Sequence, residues 1–133
     1  VTSRRGITAL IGALVVLGGA VAACGDQEST NTGNGTDLVS QGEQLAATSG
    51  CQACHGKNYE GGIAPTWIAL AGRTVTFDDG TTAVADTAYL TRSIVDPQAE
   101  KVAGYQIVMP KNALTDTQVA AVVAFIESLG RQP

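Results

Sequence analysis

The scarce residues of this 133-residue chain are one histidine, one methionine and three cysteines, and their positions carry its chemistry. Cys51-Gln52-Ala53-Cys54-His55 is a Cys-x-x-Cys-His run, the pattern by which c-type haem is attached. Two thiols about one helical turn apart can add to the two vinyl groups of one porphyrin, and the next residue then holds its imidazole beneath the iron. Other chemistries suit these residues less well. A thioredoxin-like dithiol wants a βαβ context that the chain lacks. A zinc site needs four protein ligands, or three and a water. Here the three candidates are adjacent, and no second His or Cys follows them. A disulfide between Cys51 and Cys54 would leave His55 as coincidence.

Met109 lies 54 residues after His55 and is followed by Pro110. A lone Met is usually core filler, but an implied haem wants a sixth ligand. The chain has no second histidine to supply one, and Met ligation raises a haem potential into the carrier range. Lysine and an open sixth position are the alternatives.

These residues must be positioned by short elements. Ser40-Gln41-Gly42-Glu43 fits a capping box, predicting a first helix that leads toward Cys51. Asp86 can cap a second helix through Ile94, with Tyr89, Leu90, Ser93 and Ile94 at helical spacing and Pro97 ending it. Thr115-Asp116-Thr117-Gln118 is a second capping box. It opens a helix whose Val119, Val122, Val123, Ile126 and Leu129 form an apolar stripe, closed by Gly130. Thr74–Phe77 and Thr81–Val84 flank Asp78-Asp79-Gly80 and read as a small hairpin. Aromatics make up only 5% of the chain, which argues against a conventional aromatic core and leaves a bound haem to supply apolar bulk.

The N-terminus reads as an export signal. Arg4 and Arg5 precede an uncharged run over residues 7–23, and Cys24 follows at once. The ending Val21-Ala22-Ala23-Cys24 resembles a bacterial lipobox, which implies cleavage before a lipid-modified Cys24. An uncleaved anchor is the alternative, although a 17-residue run is just under the usual spanning length. Residues 25–37 are polar and rich in Gly, Ser, Thr and Asn, the composition of a flexible linker of about 20 Å r.m.s. span. The expected organisation is therefore a signal over residues 1–23, a lipidated tether over 24–37 and a folded domain over 38–133. Loss of residues 1–23 leaves six basic against twelve acidic residues, a net charge of −6. That argues against nucleic acid as a partner, since phosphate binding needs clustered Lys and Arg. It also points to redox partners with a basic docking patch.

Taken together, the chain resembles a class I cytochrome c, most nearly the small mono-haem domains associated with terminal oxidases. The shared residues are Gly42 and Leu45, Cys51-x-x-Cys54-His55, Gly62 and Pro65, and Asp79-Gly80. They continue through Asp86-x-x-Tyr89-Leu90-x-x-Ser93-Ile94-x-x-Pro97, Gly104-Tyr105 and Met109-Pro110 to Phe125-Ile126-x-x-Leu129. The resemblance implies an all-α cytochrome c fold of three to four short helices around one covalent haem c, with a small hairpin near residues 74–84. It implies that the first and last helices cross at Gly42, and that the Pro65 carbonyl accepts the Nδ1–H of His55. Family members often carry an aromatic where Ala46 stands. Trp67, Tyr89 and Tyr105 fall where the family lines its haem pocket, and Arg73 is either a propionate partner or a solvated loop charge. The function implied is single-electron transfer between respiratory redox partners at the extracytoplasmic face of a bacterial membrane. The alternatives are a haem-bearing subunit of a larger oxidoreductase, or a small peroxidase or gas-binding protein with an open distal site.

Overall fold

The computed structural model describes residues 35–130, and the expected signal, lipobox and Cys24 lie outside the described residues. Among the described residues, four helices and one small sheet follow in the order α1 (Gly35–Thr48), α2 (Gln52–His55), β1 (Thr74–Thr76), β2 (Thr82–Val84), α3 (Thr87–Val95) and α4 (Asp116–Ser128). Among the described residues no helix is long and apolar enough to cross a membrane.

Two helix starts match the capping chemistry of the sequence. The Asp86 carboxylate accepts from Tyr89 N–H at 2.8 Å at the start of α3. The Thr115 hydroxyl and the Gln118 amide exchange backbone hydrogen bonds reciprocally at the start of α4. The third start differs from the expectation. Ser40 does not cap α1, which begins five residues earlier, so residues 35–37 of the expected tether form its first turn. The Ser40 hydroxyl instead donates back to the Thr36 carbonyl at 3.0 Å, the use that Ser finds inside a helix.

The crossing of α1 and α4 is the main helix–helix contact. Gly42 is buried in it. A Cβ there would collide with the Ala121 carbonyl oxygen and come within 2.8 Å of Phe125 Cβ, so only glycine lets the two backbones approach this closely. Ala46, one turn further on, has no exposed surface, and its small side chain suits the same close approach. The inner face of α4 buries Val119, Val122, Val123, Phe125 and Ile126, each fully buried side chain contributing about 1.5–3 kcal/mol. α3 also packs on α4, adding Leu90 and Ile94 to the core.

β1 and β2 pair antiparallel with Thr74 opposite Val84 and Thr76 opposite Thr82, as the turn at Asp78-Asp79-Gly80 predicts. An isolated bridge between Phe77 and Val102 fastens the hairpin to the chain leading toward Met109. The low aromatic content did not prevent an aromatic core, because the few aromatics are concentrated. Tyr59, Trp67, Phe77, Tyr89 and Phe125 are all buried.

Candidate functional site

The Cys-x-x-Cys-His run forms one tight helical turn. Cys54 N–H and His55 N–H both reach the Cys51 carbonyl, at 3.2 and 3.0 Å, so both thiols stand about one turn apart and His55 follows on the same wall. Gly56 ends the turn at a φ of 88°, where a Cβ would come within 2.6 Å of the Gly61 carbonyl oxygen. The chain can reverse there only with glycine. Cys51 and Cys54 are both half-buried, at the edge of the same turn.

His55 is 9% exposed, and burial holds its pKa below the ordinary imidazole value, favouring the neutral ring. Its Nδ1 lies 2.7 Å from the Pro65 carbonyl oxygen. A carbonyl can only accept, so Nδ1 carries the proton and Nε2 keeps the lone pair that a metal requires. Neutrality, tautomer and direction are thus all set by the protein.

The loop that brings Pro65 there is held by Tyr59. Its carbonyl accepts from Trp67 N–H at 2.9 Å and from the Thr66 hydroxyl at 3.1 Å. Tyr59 has a φ of 61°, a left-handed conformation that costs a bulky residue about 1–3 kcal/mol. The sequence reading did not single out Tyr59. Its place four residues after His55 was the available signal, but periodicity cannot flag a residue in a strained loop.

His55 faces a cavity of about 880 Å³, at the upper end of the size expected for a cofactor site. Cys51, Cys54, Pro65 and Met109 line it as well, so one cavity gathers every expected haem-site residue among the described residues. Trp67, Tyr89 and Tyr105 line its walls, as does Arg73, which leaves both readings of that charge standing. Met109 sits half-buried on the loop before α4. That loop is pinned by the Asn112 side chain, which donates to the Ile94 carbonyl at the end of α3 at 2.7 Å. Two thiols, a neutral imidazole with a free Nε2 and a thioether around one largely apolar space fit a covalently held haem. The site also leaves the volume that a short chain with few aromatics does not fill itself.

Among known families, the Cytochrome c model matches residues 39–130. Among solved structures the chain is similar to cytochrome cH from Methylobacterium extorquens. The two are 26% identical with a TM-score of 0.49, over 68% of this chain and 97% of that one. No curated protein matches the chain.

Proposed function

This chain belongs to the cytochrome c family, as a mono-haem electron carrier with one covalently bound haem c, and from that premise we propose that it is a membrane-tethered carrier between respiratory partners. The observation that carries the reading is the convergence of Cys51, Cys54, His55 and Met109 on one cavity. When bound, haem c supplies a single-electron ferric/ferrous couple. Cys51 and Cys54 would hold the group through thioether bonds from the α2 turn. His55 would offer Nε2 as proximal ligand, with the Pro65 carbonyl fixing its tautomer and making the ring more electron-rich. Met109 lines the same cavity and would offer its thioether sulfur as a second ligand, which would leave no position for substrate and favours a carrier over a peroxidase or gas-binding protein. With both ligands supplied by the protein, little rearrangement would be needed to pass an electron.

Attachment to the membrane rests on Val21-Ala22-Ala23-Cys24. The chain before α1 acts as a tether from a lipidated Cys24, holding the domain at the extracytoplasmic face. Cys24→Ser should abolish lipidation and detergent partitioning while leaving one haem attached per chain. Intact-mass analysis of the wild type reads the same point. A mature chain starting at lipid-modified Cys24 supports the tether, and retention of residues 1–23 overturns it.

The carrier role is tested by the rate of electron exchange with the membrane partner. With a net charge of −6 on the mature chain, docking on a basic patch is steered by attraction that salt screens over a Debye length of about 8–10 Å. The second-order rate should fall as ionic strength rises. A bimolecular rate flat across ionic strength would contradict the docking claim.

A further inference from the structure

The aromatic residues beside His55 take no part in ligation, yet they are arranged as a connected stack. The Trp67 and His55 ring centroids are 4.8 Å apart, with planes tilted by 40°. Tyr59 stacks on Trp67 at 4.8 Å with planes 5° apart. Phe125, from α4, meets Tyr59 edge-on at 5.0 Å. Trp67 is therefore held by a ring on a strained loop residue and, both through that ring and directly edge-on at 6.4 Å, by Phe125 of the helix crossing, while its own ring lies against the imidazole.

The hydrogen bond to Pro65 does not by itself fix the His55 ring. Such a bond weakens steeply only below about 120°, so the imidazole can rock about its metal-facing axis while keeping the Pro65 carbonyl as partner. An aromatic ring packed beside it removes that freedom, because rotation would break the contact or press the rings together. Backbone strain at Tyr59 persists only where the surroundings over-determine it, and such strain gathers at functional sites.

We propose that Trp67, clamped by Tyr59, is the positioning residue that fixes the rotation of the His55 ring, and with it the ligand field that His55 imposes on the iron. The proposal rests on His55 as the proximal ligand. Ordinary packing would give Trp67 an effect on stability and, from its place on the cavity wall, on the polarity around the haem, but neither would turn the His55 ring, so the ring resonances discriminate. A positioning role also moves the His55 ring-proton resonances of the ferric protein and the reduction potential.

The test compares Trp67→Leu, Trp67→Phe and Tyr59→Leu as full-length holoproteins, each checked for helical content and covalent haem. Trp67→Leu should displace the hyperfine-shifted His55 ring resonances and shift the potential. Trp67→Phe, which restores an aromatic flank, should return both toward wild type. Tyr59→Leu removes the clamp but keeps Trp67, and should give a smaller displacement in the same direction. A folded Trp67→Leu with wild-type His55 resonances and potential overturns the proposal, as does Trp67→Phe behaving like Trp67→Leu. If Trp67→Leu fails to mature, Tyr59→Leu decides on the same resonances: displaced supports the role, unmoved overturns it. Failure of the underlying ligation would be distinct, since the wild type itself would then lack hyperfine-shifted His55 resonances.

Discussion

Met109→Ala should lower the reduction potential by on the order of 0.2 V, a fraction of the ~0.8 V range that haem axial ligation sets. A thioether donates weakly to ferric iron, so its loss removes a preference for the ferrous state. Covalent attachment through Cys51 and Cys54 should survive, because neither residue belongs to the Met109 loop. His55 should remain bound, since its Pro65 and Trp67 contacts lie on other segments. The reduced variant should bind carbon monoxide readily and the reduced wild type poorly. The Asn112 tie to Ile94 holds the loop in either case, so the effect isolates the sulfur rather than loop unfolding. Electrochemistry of the two purified proteins checks it, and equal potentials would exclude Met109 as the ligand.

Gly42→Val should destabilise the domain by about 3 kcal/mol, the upper end for forcing bulk into a packed contact. The atoms in the way are the Ala121 carbonyl group and Phe125 Cβ, which belong to the backbone and base of α4 and cannot rotate aside. The helices must move apart instead. For a domain of this size the thermal midpoint should fall by roughly 10–20 °C. Gly42→Ala is the more stringent case, because alanine gains about 1 kcal/mol of helix propensity and should still be less stable than wild type. Thermal unfolding of the ferric holoproteins followed by circular dichroism reads both. A Gly42→Ala midpoint at or above wild type would mean that the crossing tolerates separation.

What could be read from the sequence was chemistry expressed locally. The Asp86 and Thr115 caps, the Asp79-Gly80 turn and the Cys-x-x-Cys-His run each act within about five residues, so spacing alone exposes them. The start of α1 was misplaced because Ser40 followed by Glu43 satisfies a capping pattern that the mid-helix Ser40 does not use. Tyr59 and its stack on Trp67 were hidden for a different reason. The pair is eight residues apart on an irregular loop, and Phe125 joins it from the far end of the domain. Likewise, the bridge from Phe77 to Val102 and the tie from Asn112 to Ile94 are long-range fastenings that no periodic pattern announces. A 5% aromatic content measures quantity and not placement, which is how a concentrated aromatic cluster escaped a composition argument.

The most direct test of a closed, six-coordinate carrier is the far-red absorption of the purified ferric wild type. Iron bound by a thioether gives a weak band there, and Met109 is the only methionine in the chain. The account predicts that the band is present, and that it vanishes in Met109→Ala. A ferric wild type without that band, whose reduced form binds carbon monoxide rapidly, would contradict the account and leave an open-site haem protein in its place.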